Sequence, residues 1–567
     1  MKTIKTTTET ESSFGQIVHA GRLYVVKNFK VIGVFFLTFL ISLLIAFLTV
    51  SSSETVYSSA LSEFELGQIS DKTIVADVSL PADGDYPIEV IAGEKIIRKG
   101  FPVTEIALAK LNKMAAAPTY IDYKTFSYKI LYMMLLTALA VFLFNISLAD
   151  VHVSLKEAIL LGILFIIVYG ATSFGGLFLS NDRAYTLAII IPATFCVILV
   201  AVLFGQAHGV FFSFILSFGV LNAQTENIVP FLFVLASCLA ATRIVKKVDR
   251  RLDLVFVSLL LAVLNVVFML VLKIIFDGNV NNIIFPLLMV SLNGFLSGIL
   301  ALGFLTPLES LLNTASVFRL MDLSDLNSAT MKKMLVAAPG TYNHSMMVAT
   351  LAENACSAIH ANALLARVGA YYHDVGKIEQ SEYFVENQTG ENKHNELNPR
   401  LSTTIIKSHV KKGVEKATEM RLPKEVVDII GEHHGNGLIS FFYDKAKNLD
   451  ENVSKEEFSY PGTPPSSKES AVVMLADTVE AACRTLKNPS PSRLKKFIHE
   501  LVMGKFTSHQ LDNSELSFKD LSVIEDSFLQ ILVGYYHTRI EYPNQKDPDA
   551  DEKTEKDSGQ QEVRNEQ

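Results

Sequence analysis

The stretch Leu364–Lys377, LLARVGAYYHDVGK, decides how the rest of the chain is read. Its first part carries an apolar helical pattern that runs directly into His373 and Asp374. An imidazole and a carboxylate beside a buried helix face are costly unless something pairs with them. Adjacent helix positions point about 100° apart. Both residues can therefore serve one site only if the aspartate reaches sideways, which suits a carboxylate spanning two cations.

Working outward, further residues of the same kind sit in or beside apolar helical patterns: His344, His409, His433, His434 and Asp477. His344 opens a helix whose apolar face is Val348, Leu351, Ala355 and Ile359. Asp477 lies in Ala471–Cys483, a run dominated by Val472, Val473, Met474, Leu475 and Ala476. A bare carboxylate there would raise its pKa or find a cation. A single histidine on an apolar helix is more often a hydrogen-bonded core residue, and an HD dipeptide alone is weak. The ordered series H…HD…H…HH…D, with HDxGK formed by His373, Asp374, Gly376 and Lys377, is far more specific than any member. Seven such residues suffice for two metal ions with one shared carboxylate. His360, His394, His499, His509 and His537 fall outside the series and read as structural or surface residues.

The half before about residue 306 is membrane. Val31–Val50 has no charge and spans about 30 Å as a helix, enough to cross a bilayer. It is too long and too far from the N-terminus for a signal peptide, so it reads as an uncleaved anchor. Further spans read as Lys129–Leu148, Ala158–Leu179, Tyr185–Gly205, Gly209–Asn222, Ile228–Ala241, Leu254–Phe276 and Ile283–Thr306, making eight. Lys273 lies near a span end and can snorkel. The first thirty residues carry five Lys/Arg, and the loop Arg243–Arg251 carries five more. Both fall on one side when spans are counted from a cytoplasmic N-terminus, and so does the C-terminal half. Ser51–Tyr128 is then external. It has a strand-like run at Thr73–Leu80, a turn at Lys99–Gly100 and a helix capped by Thr104. A sensor or a spacer would both fit it.

Pro307 is expected to end the last span, with Glu309–Ala338 an amphipathic helical connector. Helical periodicity then continues to Tyr542, strand patterns are nearly absent, and Asp450–Lys468 reads as a loop. From Pro543 the chain is charged and expected to be disordered. The net charge of −8 argues against a general nucleic-acid binder, so no nucleic-acid polymer is expected as partner. A metal pair would still attract a small anion. Cys196, Cys238, Cys356 and Cys483 avoid the external segment, so no disulfide is expected.

The C-terminal half resembles the HD-domain metal-dependent phosphohydrolases, and the whole chain from Val31 to about Tyr542 resembles the bacterial seven-transmembrane HD-domain family of cyclic-di-AMP phosphodiesterases. The resemblance is carried by Ala338–Ser345 (APGTYNHS), Leu364–Lys377, Tyr383–Gln388 (YFVENQ), Ser408-His409-Val410 and Glu432–Gly435 (EHHG). The external segment is shorter here than in many members. The implied architecture is a multi-pass α-helical membrane protein with a small extracellular α/β module and a C-terminal all-α HD-domain phosphohydrolase. Its parts are a cytoplasmic N-terminus (1–30), a first transmembrane helix (31–50), the module (51–128), a seven-transmembrane region (129–306), the connector (307–337), the cytoplasmic HD domain (338–542) and a charged tail (543–567).

The resemblance also implies a dinuclear centre bridged by Asp374. His344, His373 and Asp477 complete one metal site, and His409, His433 and His434 complete the other. Two divalent transition ions are implied, iron or manganese; imidazole with carboxylate suits either, and no cysteine ligand suggests structural zinc. Two ions sharing a water lower its pKa toward neutrality, and the activated hydroxide would open cyclic-di-AMP to linear 5′-pApA. Lys377 reads either as a catalytic contact to phosphate or metal ligand, or as a solvated helix-end lysine. Tyr342, Asn343 and Asn387 are candidate substrate contacts. Alternatives are an HD hydrolase of cyclic-di-GMP or a guanosine polyphosphate, or a non-catalytic nucleotide-binding membrane receptor. A homo-oligomer and an extracellular ligand are both compatible with the sequence.

Overall fold

The computed structural model describes residues 13–536 apart from 53–55, 77, 118–122, 146–152, 179–189, 225–227, 247, 249, 277–282, 389, 451 and 487–488. The expected tail at 543–567, His537 and the start of the expected span Tyr185–Gly205 lie outside these residues. The chain divides into two compact units, Met1–Arg319 and Leu320–Gln567.

Among the described residues of the first unit, six helices are long and apolar enough to cross a membrane: Asn28–Thr49, Thr125–Phe144, Leu155–Gly175, Gln206–Ala223, Asp253–Phe276 and Ile284–Leu312. Two of the eight expected spans correspond to shorter apolar helices, Ala193–Phe204 and Val229–Val245. The first of these is enclosed by its neighbours, with Cys196, Val197, Ile198, Leu199 and Val200 all buried. Other faces are apolar and open, such as Phe36, Leu37, Leu40 and Leu44 on the first span and Phe256, Val263 and Ile274 on Asp253–Phe276. Water would penalise so large an apolar surface, whereas lipid does not. This is a membrane protein.

Small and polar residues join the helices. A Cβ on Gly298 would lie 2.2 Å from Ser258 Oγ, and one on Gly294 would lie 2.9 Å from the Ala262 backbone nitrogen. The helices Asp253–Phe276 and Ile284–Leu312 therefore touch nearly backbone to backbone, through a small-xxx-small pair. Inside the bundle Ser237 donates to Asn265 Oδ1 at 2.6 Å, and Tyr169 donates to Asn222 Oδ1 at 2.9 Å.

Two expectations are corrected here. Lys273 does not snorkel; it is buried, because it continues the stripe Leu261, Asn265 and Met269 that faces the neighbouring helices. Pro307 does not end the last span, since the helix Ile284–Leu312 runs through it. The proline forfeits the hydrogen bond to the Gly303 carbonyl, and neighbouring turns hold the helix across that gap. The helix stops at Asn313, whose φ of 56° and ψ of 46° are left-handed, a conformation asparagine tolerates. The connector is consequently broken: Val317–Leu323 and Ala329–Ala337 are separate short helices.

Residues between Val56 and Ala116 fold around their own core of Tyr57, Phe64, Ile74, Val90, Ile97, Val103 and Leu111. Ile74–Val75 pairs antiparallel with Lys95–Ile97, and Leu80 bridges Val90. Thr104 caps the helix Glu105–Ala116, its hydroxyl accepting from the Ala107 amide at 3.2 Å. Lys113 is buried and donates to the Tyr86 carbonyl at 3.0 Å, which ties this helix to the loop before it.

In the second unit the described residues are helical, with one isolated bridge between Leu438 and Ser459. Its helices include Pro339–Ala358, Ala363–Tyr372, Pro399–Glu419, Lys424–Glu432, Lys468–Cys483, Pro491–Thr507 and Phe518–Tyr536. Pro339, Pro399 and Pro491 sit at first helical positions, where a missing N–H costs nothing.

Candidate metal centre

Each candidate donor is placed by a local feature of its helix. Ala363–Tyr372 begins at Asn362, whose side chain accepts from Leu365 N at 3.0 Å. It buries Leu365, Val368 and Tyr372, and ends where Asp374 leaves helical geometry at φ −106°, ψ 15°. The histidine and aspartate therefore stand at a helix end, not within one. The chain continues as a 3-10 helix, Val375–Tyr383, pressed onto Pro399–Glu419. A Cβ on Gly376 would lie 1.9 Å from the His409 carbonyl oxygen. Only glycine permits that approach, and the approach brings Asp374 beside His409.

His433 caps the end of Lys424–Glu432, and Gly435 turns the chain with φ 53°. The buried Glu432 carboxylate accepts from Ser466 N at 3.0 Å and from the Ser466 and Ser470 hydroxyls at 2.7 Å each. These bonds draw the loop before Lys468–Cys483 against the two histidines. That helix buries nearly every residue from Ser470 to Glu480, and Asp477 and Glu480 share one face.

All seven candidate donors converge. Ligand atoms lie within 4.8 Å of one another in three groups: His409, His433, His434; His344, His373, Asp477; and His373, Asp374, His433. Asp374 divides its two oxygens between the first two. Its Oδ2 is 3.2 Å from His373 Nε2 and 3.7 Å from His344 Nε2, while Oδ1 is 3.4 Å from His409 Nε2 and 3.8 Å from His433 Nε2. Asp477 Oδ1 lies 3.0 Å from His344 Nε2, and its Oδ2 lies 3.6 Å from His434 Nδ1.

The hydrogen bonds show that this cluster fits a cation. Nδ1 of His373, His409 and His433 meets the carbonyl oxygens of Ala370, Ile406 and Ile430 at 2.7, 2.5 and 2.8 Å. A carbonyl only accepts, so each Nδ1 carries the proton and each Nε2 presents a lone pair inward. His409 Nε2 and His433 Nε2 then face each other at 3.3 Å. Protonation cannot relieve that, because burial pushes His409 down to about 4 and His433 down to about 3. His373 Nε2 and Asp374 Oδ1 are likewise buried without a hydrogen-bond partner. Divalent cations would satisfy these atoms, and the donor set of this HD-type domain fits them.

The electrostatics around the aspartates favour the ionised form. Burial opposes it, but the Lys377 ammonium beside it holds the Asp374 carboxyl well below the usual carboxylate range. Lys377 Nζ lies 2.7 Å from Asp374 Oδ2 and 3.0 Å from Glu386 Oε1, and its ammonium stacks over Phe384. The solvated-lysine reading is thereby excluded. Burial also works against charge on His344, but hydrogen bonds to Asp477 and Glu480 raise it to about 10.

The remaining candidates are less central. Asn387 is engaged by Thr341 at both ends of its amide, Oδ1 accepting from Thr341 N at 3.1 Å and Nδ2 donating to Thr341 Oγ1 at 2.8 Å. Tyr342 is half-buried and Asn343 exposed. His394 is buried outside the centre, its Nε2 donating to the Tyr383 carbonyl at 2.8 Å.

Three site residues had no signal in the ligand series. Glu480 Oε2 is 2.5 Å from His344 Nδ1, and its placement one turn after Asp477 was the available clue. Glu386 bonds Thr341 Oγ1 at 3.1 Å as well as Lys377. Tyr460 stacks on His434 with ring centroids 4.4 Å apart.

Fold and site together define a membrane protein carrying a helical His/Asp metal-binding domain of the HD class. The family "7TM receptor with intracellular HD hydrolase" matches residues 123–316, and the HD domain family matches residues 341–482. The chain belongs to the seven-transmembrane HD family. It is 40% identical over 322 residues to cyclic-di-AMP phosphodiesterase PgpH of Bacillus subtilis, covering 56% of this chain and 45% of that protein. Over 473 residues it is 30% identical to PgpH of Listeria monocytogenes, covering 82% of this chain and 66% of that one. The chain thus spans about half the length of the first relative and about two thirds of the second. The crystal structure of the Listeria PgpH HD domain in complex with cyclic-di-AMP matches 38% of this chain and 100% of its own, at 40% identity and a TM-score of 0.37.

Proposed function

We propose that this chain is a membrane-held phosphodiesterase that hydrolyses cyclic-di-AMP to linear 5′-pApA. The observation that carries the reading is the Asp374 carboxylate, which turns one oxygen to His344 and His373 and the other to His409 and His433. That division supports two cations with Asp374 as bridge. His344, His373 and Asp477 hold one, while His409, His433 and His434 hold the other. The ions, iron or manganese, supply Lewis acidity and a water acidified enough to act near neutral pH. The PgpH relatives, by name, act on cyclic-di-AMP.

The chain's own residues prepare that chemistry. Three Nδ1–H···carbonyl bonds fix the inward lone pairs before any ion arrives. Lys377 keeps Asp374 ionised and stops its carboxylate from rotating. It also places positive charge where phosphate oxygens would approach. Burial excludes bulk water and strengthens each of these interactions. Tyr342 and Asn343 are proposed to contact the substrate, with Asn387 setting the start of their helix.

The N-terminus and the HD domain are proposed to be cytoplasmic and residues 51–128 external, supported by the basic residues before the first span and at Arg243–Arg251. The test of activity is to purify the full chain in detergent, load it with iron or manganese, and offer cyclic-di-AMP, cyclic-di-GMP and guanosine polyphosphates. Chromatography should show 5′-pApA from the first at the highest rate. Equal or faster turnover of a guanine substrate, or no turnover at all, would overturn the reading.

A further inference from the structure

Four histidines turn Nε2 into the centre, but they are not held alike. Nδ1 of His373, His409 and His433 each donates to the carbonyl three residues earlier. His344 instead meets a carboxylate, Glu480 Oε2, at 2.5 Å. Glu480 is buried, with 8% of its side chain exposed. Its other oxygen, Oε1, accepts from Arg484 NH2 at 2.6 Å, and Arg484 is about half exposed. The result is a chain, Arg484–Glu480–His344, running from the surface to the centre.

We infer that Glu480 is a positioning residue that sets His344 as a strong, oriented ligand and makes its half of the centre the tighter one. The inference rests on the metal centre proposed above. A carboxylate accepting from Nδ1–H fixes the tautomer, turns the ring, and pushes electron density toward Nε2. A backbone carbonyl fixes the tautomer but carries no charge. The two halves therefore differ in electrostatics. Around His344 and His373 stand the carboxylates of Asp477, Asp374 and Glu480, with Lys377 offsetting part of the Asp374 charge; in the other half Asp374 Oδ1 lies near His409 and His433 and Asp477 Oδ2 near His434, and no third carboxylate joins them. A divalent cation is bound more tightly where negative charge is denser.

A bland role is also available to Glu480, as half of an i,i+4 ion pair with Arg484 that supports Lys468–Cys483. Burial argues against it, since an exposed pair would serve that purpose without desolvating the carboxylate. The two roles predict different things when Arg484 is removed.

The test measures manganese binding to chelator-stripped full-length protein in detergent, by competition with a fluorescent chelator and by elemental analysis. Wild type should bind two equivalents of unequal affinity. Glu480→Ala should weaken the tighter equivalent by about 10- to 100-fold and leave the other within about twofold. Glu480→Gln, which can still accept from Nδ1–H, should fall between, and Arg484→Met should bind as wild type does. The ¹⁵N imidazole spectrum should show the His344 tautomer retained in the Gln variant and mixed in the Ala variant. If Glu480→Ala binds both equivalents like wild type, or if Arg484→Met weakens binding equally, the inference fails. If wild type binds no manganese or iron, the metal centre itself fails instead. A Glu480→Ala protein that does not fold leaves the Gln variant and Arg484→Met to decide.

Discussion

Lys377 Nζ stands 2.7 Å from Asp374 Oδ2, one 3-10 turn along the chain, with the carboxylate buried and the lysine side chain 11% exposed. The ammonium is shared with Glu386, so one cation neutralises two carboxylates where water cannot. Removing it as Lys377→Met strands the Asp374 charge, and loss of one partner of a buried pair costs about 3–5 kcal/mol. The metal-free protein should therefore melt well below wild type, and turnover by the loaded enzyme should drop by about 10- to 100-fold. Unchanged melting, followed by tryptophan-independent calorimetry, would show that the pair is dispensable.

Asp374→Ala is expected to abolish turnover, because Asp374 turns one oxygen toward His344 and His373 and the other toward His409 and His433. His409→Ala should empty mainly one half. Elemental analysis finding two full equivalents in the His409 variant would contradict the division of ligands proposed here.

Gly376→Ala places a methyl 1.9 Å from the His409 carbonyl oxygen, a separation that backbone movement must relieve. Overpacking of this kind costs about 1–3 kcal/mol. The shift separates Asp374 from His409, so a lower melting temperature should come together with weaker binding of one manganese equivalent. A variant that melted early but bound both ions normally would sever that link.

In metal-free protein the contribution of His344, His409 and His433 to stability should be greatest near pH 6.5. His344, raised to about 10 in the fold, contributes stability fully below its unfolded value of about 6.5 and loses it as pH rises toward 10. His409 and His433, depressed to about 4 and 3, act oppositely. The unfolded chain takes up their protons first, so stability falls as pH drops from about 6.5 toward 3. Thermal midpoints across this range should form a dome, and manganese should flatten its alkaline side by replacing the His344 Nε2 proton.

In the membrane half, Gly298→Leu should force apart Asp253–Phe276 and Ile284–Leu312, since even a Cβ would meet Ser258 Oγ at 2.2 Å. Thermal stability in detergent should fall, and Ser258→Gly in the same chain should recover part of it. No change in the single variant would mean the helices already stand apart.

The sequence by itself determined the classes of segment and the donor set. Uninterrupted apolar runs marked the spans, because lipid demands length and apolarity of each segment alone. The order H…HD…H…HH…D marked the donors, because imidazole and carboxylate in apolar helices require partners wherever those partners stand. Tertiary structure decided the rest. Lys273 became buried and Pro307 lay within a helix because neighbouring helices, invisible to local periodicity, set what each position faces. Likewise Glu480 and Tyr460 carried no motif of their own, and Glu386 lay in the YFVENQ stretch with nothing to mark its role. Their relation to His344, Lys377 and His434 exists only once helices distant in sequence pack together and exclude the water that would otherwise solvate each charge.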